Sequence, residues 1–208
     1  MERKRVGIVL FQDVEVLDFC GPFEVFSVTR LNEESRLEEP SPFETLLVAE
    51  ESLPVITTGG MKVIPDHTFE SCPQLDILVV PGGLGTRREI NNPAMLNWLR
   101  IHAAKVETLT SVCTGSMLLG YAGALDGHRA TTHWRWLDWM RDSFPAVSVD
   151  YDRHVVEDGA LLTSAGISAG IDLALKVVSR YYGEAIARAT ARIMEYPYPD
   201  NDGRRIQF

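Results

Sequence analysis

Val106-Glu107-Thr108-Leu109-Thr110-Ser111-Val112-Cys113-Thr114-Gly115-Ser116-Met117-Leu118-Leu119-Gly120 changes character at its centre. Thr108, Leu109, Thr110 and Val112 are β-branched or apolar and read as a buried strand, whereas Met117-Leu118-Leu119, followed by Ala122, reads as a helix. Cys113 falls at the junction. A sharp strand-to-helix turn holds its central side chain out above a sheet, the geometry of a nucleophile elbow, although C-T-G-S replaces the hydrolase pattern G-x-S-x-G. In the first turn of a helix a cysteine also faces unpaired N–H groups and the positive end of the macrodipole, which favour the thiolate. The bland reading stands beside this one: an unpaired cysteine is among the most buried residue types and often acts only as a small hydrophobe.

Outward from this stretch, the chain reads as alternating strands and helices. Val6–Phe11 and Ile77–Val80 are continuous apolar runs of the kind that central parallel strands show. Phe43–Ala49 reads as a further strand, and Val55–Pro65 as a hairpin about Gly59-Gly60. Asn92–Lys105 has the spacing of an amphipathic helix. Ala130–His133 is expected as a short strand and Trp134–Arg141 as a helix whose tryptophans serve core or interface. Short strands at 147–149, 155–157 and 161–164 lead to helices at Ile171–Tyr182 and Glu184–Glu195. Near the N-terminus, Phe23–Val28 is helical in spacing with Pro22 in its first turn, which puts Asp18 just ahead of the helix, at the sheet edge where open α/β folds gather ligand groups. On residue type alone, Asp18 is a helix cap or loop carboxylate.

The chain has 208 residues, of which 45% are hydrophobic, and no Pro/Gly/Ser linker divides it. One domain spanning 1–208 is expected. The net charge of −9 disfavours nucleic acid and membrane surfaces as partners. The apolar run after the basic residues 3–5 ends at Gln12-Asp13, so no secretory signal is expected, and no stretch approaches the ~18 apolar residues of a membrane span. Cys20, Cys72 and Cys113 show neither C-x-x-C spacing nor a disulfide framework, which fits a reducing cytoplasm without a structural metal. His67 and Cys72 read as structural. Pro81-Gly82-Gly83-Leu84-Gly85 lacks both the P-loop lysine and the spacing of a dinucleotide fingerprint, so no cofactor is expected.

Ser111–Ser116, Gly120, Gly123, Leu125, Gly127 and Ala130-Thr131-Thr132-His133-Trp134 resemble the DJ-1/PfpI superfamily, and within it the isonitrile hydratase branch. Leu17-Asp18, Gly21-Pro22, Asp76–Gly83 and Gly166–Asp172 extend the likeness over nearly the whole chain. The resemblance implies a flavodoxin-like or DJ-1-like α/β sandwich with a mostly parallel sheet and helices on both faces, and a homodimer. It gives Asp18 the place of the acid that contacts the reactive cysteine. It pairs the Gly83 and Thr114 amides as an oxyanion-type pocket and sets Ile167 against substrate. The same domain also forms the sensory half of some transcription regulators, but this chain ends shortly after Pro199, so a helix-turn-helix domain is not expected. Glu24, inside the first helix, and His133 are the reserve acid–base candidates.

Amidase and protease relatives carry a histidine directly after the cysteine, where this chain has Thr114. Without that base, delivery of a proton to an amine leaving group is disfavoured. An isonitrile has no leaving group, so Cys113 as nucleophile, Asp18 as proton donor and Thr114 as a steering hydroxyl would suffice to hydrate it to a formamide. A cysteine redox or metabolite sensor and a thiol enzyme acting on carbonyl substrates (a glyoxalase-type hydratase) are the competing expectations.

Overall fold

The computed structural model describes residues 2–206. In chain order its elements are β1 (Lys4–Leu10), α1 (Val16–Val28), β2 (Phe43–Ala49), β3 (Val55–Ile56), β4 (Lys62–Val63), β5 (His67–Thr68), β6 (Ile77–Val80), α2 (Thr86–Glu89), α3 (Pro93–Ala103), β7 (Thr108–Val112) and α4 (Gly115–Tyr121). They continue with β8 (Arg129–Ala130), a 3₁₀ turn at Trp134–Trp136, α5 (Leu137–Ser143), β9 (Ser148–Val149), β10 (Val155–Asp158), β11 (Leu161–Ser164), α6 (Ala169–Tyr182) and α7 (Glu184–Ile193).

The central sheet runs β10-β11-β7-β6-β1-β2-β5. Every pairing in it is parallel except β10 with β11. β6 and β7 are buried along their full length, as their unbroken apolar or β-branched sequences demand of strands covered on both faces. Helices α1, α6 and α7 pack on one another, as do α3 and α2 with α4. This is the α/β sandwich that the sequence reading expected.

Parallel strands finish at the same sheet edge, and that rule assembles the site. The chain leaves β6 into Pro81-Gly82-Gly83, β7 into Cys113-Thr114, and β11 into Ala165-Gly166-Ile167, all at the carboxyl edge of neighbouring strands. Asp18, from the first turn of α1, comes to the same edge through a hydrogen bond to Gly82.

Several local expectations differ from the structure. α1 begins at Val16, so Pro22 lies inside the helix rather than in its first turn, and Asp18 is a helical residue rather than a preceding loop carboxylate. Phe19, Pro22, Val25 and Phe26 form one buried helical face, and that burial outweighs the hydrogen bond lost at the proline. The expected strand Ala130–His133 is only Arg129–Ala130. His133 instead caps the 3₁₀ turn by accepting the Arg135 N–H at 3.3 Å, which separates Trp134–Trp136 from α5 and divides the single helix expected there.

Candidate active site

Cys113 stands between β7 and α4 with φ of 56°, in the left-handed region that a side-chain-bearing residue seldom adopts. Its backbone is held from several sides. The N–H reaches the carbonyls of Ser164 and Ala165 at 3.3 and 3.2 Å, and the carbonyl accepts from the hydroxyls of Thr132 and Ser116 at 2.9 and 3.1 Å. With neighbours on three elements fixing the turn, the strain is sustained by the surroundings. The side chain is buried.

The thiol is not poised as its place at a helix start suggested. Burial pushes its pKa well up, and the Asp18 charge adds to the rise; the N–H groups of Thr114 and Ile167 and the Thr114 hydroxyl oppose it without winning. Dehydrating a thiolate costs more than a few donors at the start of a short helix return. This corrects the expectation of a thiolate favoured by position alone.

Asp18 is completely buried. Its Oδ2 accepts the Gly82 N–H at 2.9 Å, while Oδ1 has no hydrogen-bond partner. Burial raises its pKa to about 8, with Glu15 adding to the rise and with Gly82 and the Cys113 side chain pulling the other way. At neutral pH Asp18 is therefore mostly a carboxylic acid beside a sulfur, able to donate. Its unpaired oxygen is the natural seat of the proton, since a buried acceptor left unmatched is costly.

Gly82 permits this arrangement. A Cβ there would lie 2.6 Å from both the nitrogen and the hydroxyl oxygen of Thr114 and 2.9 Å from Asp18 Oδ2. Gly83 has φ of 134°, and its bridge to Val14 leaves no room for a side chain. The Gly83 N–H does not stand open toward a substrate; it donates to Thr114 Oγ1 at 3.1 Å, and that hydroxyl also lies 3.3 Å from Thr86 Oγ1. The two amides that face the sulfur are those of Thr114 and Ile167. Gly83 thus orients the threonine, while the Thr114 and Ile167 amides flank the sulfur.

Ile167 has φ of 55°, unusual for a β-branched residue, and the residue is 40% exposed. The structure therefore brings Cys113, Asp18, Thr114, Gly83 and Ile167 together. It does not bring in Glu24, which is exposed on α1 and acts electrostatically on Cys20. His133 packs its ring on Gly166, where a Cβ would meet Cδ2 at 2.1 Å, and its pKa is lowered by burial, then by Arg135, Arg204 and Arg87. Gly82 and Glu15 are site residues that the sequence did not single out. Pro81-Gly82-Gly83 at the end of an apolar strand was the available signal for the first.

Among the described residues no group of three or more His, Cys, Asp or Glu side chains is placed to hold a metal ion. No helix of these residues is long and apolar enough to cross a membrane.

Residues 4–180 match the DJ-1/PfpI family. The chain belongs to that family. It is 39% identical to the isonitrile hydratase of Pseudomonas putida over 199 residues, covering 95% of this chain and 81% of that one. It is also 35% identical over 156 residues to the HTH-type transcriptional regulator CdhR of Pseudomonas aeruginosa, of which it spans only 46%. A THiJ/PfpI family protein of Pseudomonas syringae has the same fold, with a TM-score of 0.83 and 30% identity over 97% of this chain and 78% of that one. The family thus includes both an enzyme and regulators, and the chemistry of this chain has to be argued from its own site.

Proposed function

We propose that this DJ-1/PfpI family protein is an isonitrile hydratase-like enzyme, adding water to R–N≡C to give an N-substituted formamide through a thioimidate on Cys113. The observation that carries the reading is the buried Asp18 carboxyl, mostly protonated at neutral pH, against the Cys113 sulfur, with a threonine instead of a histidine as the next residue. Such a site can protonate a carbon but is poorly equipped to release an amine. The similarity to the Pseudomonas putida enzyme supports the same reaction.

The reactive state of the Cys113–Asp18 pair holds one proton. As the sulfur bonds to the terminal carbon of the isonitrile, that proton moves through Asp18 to the same carbon, giving R–N=CH–S–Cys113 and the Asp18 carboxylate. Water then adds across C=N. Its oxygen bonds to carbon, one of its protons is taken by Asp18 and passed to nitrogen, and R–NH–CH(OH)–S–Cys113 results. Asp18 removes the hydroxyl proton as C=O forms and the C–S bond breaks, releasing R–NH–CHO and restoring the pair. The Thr114 and Ile167 amides stabilise charge on the sulfur in both the attack and the departure. The reading takes the enzyme as a single-domain cytoplasmic homodimer that needs no cofactor.

Formamide production from aliphatic and aromatic isonitriles, followed by mass spectrometry at substrate excess, tests this reading. Wild type should turn over repeatedly. Cys113→Ser should abolish turnover with the fold intact, and Asp18→Asn should lower it by roughly 10²- to 10⁴-fold, the usual range for a lost general acid. Absence of product above the Cys113→Ser background would reject the enzyme. The similarity to the regulator would then favour a ligand-sensing domain.

A further inference from the structure

Asp172 is a buried carboxylate that the chemistry described above does not use. It lies in the first turn of α6 and is met there from two other parts of the chain. His154, just ahead of β10, places Nε2 3.2 Å from Asp172 Oδ2, an ion-pair contact when the imidazole is protonated, without the alignment of a hydrogen bond. From the segment after α7, Tyr196 donates its hydroxyl to Oδ2 at 3.1 Å, and Arg205 donates to Oδ1. Beyond these, Lys176 of α6 and Arg153 both pair with Asp202, at 2.7 and 3.9 Å. A buried carboxylate is stable only where donors and opposite charge meet it, so one side chain ties three parts of the fold together.

What this tie encloses is the turn at Ile167. His154 grips the turn at both ends: its carbonyl accepts the Ala165 N–H at 2.8 Å, and its ring faces Asp172. Between those ends the chain passes through Ile167 with φ of 55°, which a β-branched residue keeps only where its surroundings over-determine it. Ile167 is 40% exposed, so packing of its own side chain supplies little of that hold. The turn also touches the chemistry directly. The Ala165 carbonyl accepts the Cys113 N–H at 3.2 Å, and the Ile167 N–H faces the Cys113 sulfur.

We propose that Asp172 is a positioning residue: by tying the first turn of α6 to His154 and to the segment after α7, it holds the strained Ile167 turn so that the Ile167 N–H stays on the Cys113 sulfur. The inference deepens the hydratase reading, in which that N–H stabilises charge on the sulfur, but its test needs no isonitrile. A donor to the sulfur favours the thiolate, so losing it raises the pH at which the Cys113–Asp18 pair gives up its first proton.

The test follows alkylation of Cys113 by iodoacetamide against pH, with the Cys113 peptide quantified by mass spectrometry so that Cys20 and Cys72 do not contribute. It compares wild type, Asp172→Asn, His154→Gln and Leu99→Ala, with thermal melts of each. Leu99 is buried on α3, outside this network, and controls for lost stability alone. Asp172→Asn should move the midpoint up by about one pH unit. His154→Gln keeps the backbone carbonyl and the Tyr196 and Arg205 bonds, and should move it by about half as much. Leu99→Ala should melt below wild type yet keep its midpoint. An unchanged midpoint in folded Asp172→Asn, or an equal shift in Leu99→Ala, overturns the proposal. If Asp172→Asn does not fold, the midpoint of His154→Gln decides. Failure of the protein to turn over any isonitrile, with the shift present, rejects the hydratase reading and leaves this assignment of Asp172 standing.

Discussion

Gly82 holds Asp18 by one oxygen only: its N–H meets Oδ2 at 2.9 Å, and Oδ1 is left buried without a hydrogen-bond partner. The bond fixes the carboxyl's orientation while leaving the second oxygen to carry the proton. A second backbone donor would have stabilised the anion and removed the acid. Asp18 thus combines two properties that proton delivery needs, a defined position and a raised pKa.

The pH dependence of turnover follows from that raised value. Below about 8, Asp18 keeps its proton and the buried Cys113 keeps its own, so the sulfur is not activated. Loss of one proton from the pair gives the reactive state, and the apparent value belongs to the pair rather than to either residue. We expect kcat/KM to rise about tenfold per pH unit between pH 6 and 7 and to level off near 8. A rate that is flat from pH 6 to 9, or that falls through this range, contradicts the assignment.

Stability should respond to the same group in the opposite sense to a salt-bridged carboxylate. Asp18 has a folded pKa of about 8 against an ordinary value of 3.8, so the unfolded chain releases the proton first as pH rises. The native state is then progressively disfavoured from about pH 4 to 8, with ~1.4 kcal/mol per unit as the upper slope. Asn at this position cannot ionise. Asp18→Asn should therefore melt several degrees higher than wild type at pH 8, at roughly 2–4 °C per kcal/mol for a chain of this size, with the difference vanishing toward pH 4. Equal melting temperatures at both pH values would show that Asp18 is not held protonated.

The glycine that orients Asp18 should tolerate nothing larger. In Gly82→Ala the new methyl would fall 2.6 Å from the Thr114 nitrogen and 2.9 Å from Asp18 Oδ2, and the Thr114 nitrogen is backbone that cannot step aside. We expect activity to fall by more than about tenfold and stability by ~1–3 kcal/mol, the usual range for overpacking. Rates and melts together check this, and wild-type rates in the Gly82→Ala variant would mean that the approach of Gly82 to Thr114 is unimportant.

How much of this could be seen in the sequence depended on distance along the chain. Cys113 was legible because the evidence for its turn is local, strand character on one side and helix on the other. The sheet was legible for a related reason, since Ile77–Val80 and Val6–Leu10 announce burial residue by residue. The Asp18–Gly82 bond joins positions far apart in the chain; local spacing put Asp18 at the sheet edge, but only the resemblance to a family set it against the cysteine. Pro22 misled, because an isolated proline reads as a helix start, whereas burial of Phe19, Val25 and Phe26 carries α1 through it. The sulfur's protonation was not legible because it depends on how deeply the turn is buried, a tertiary property. The Ile167 amide was hidden by its backbone, since a β-branched residue gives no hint of a φ of 55°.

The last prediction separates the two roles of Thr114. Its hydroxyl accepts the Gly83 N–H at 3.1 Å, lies 3.3 Å from the Thr86 hydroxyl and interacts with the Cys113 sulfur, all within a buried volume. Thr114→Val keeps the shape but leaves the Gly83 N–H without its partner, a loss of ~1–3 kcal/mol of stability. It also removes a donor that favours charge on the sulfur, so turnover should fall at every pH and the rise in kcat/KM should move to higher pH. Thr114→Ser retains the hydroxyl and should recover most of the rate and the original profile. If Val and Ser variants were equally impaired, the methyl group rather than the hydroxyl would be what matters, and Thr114 would be a packing residue; melting curves and pH profiles of the two variants distinguish these outcomes.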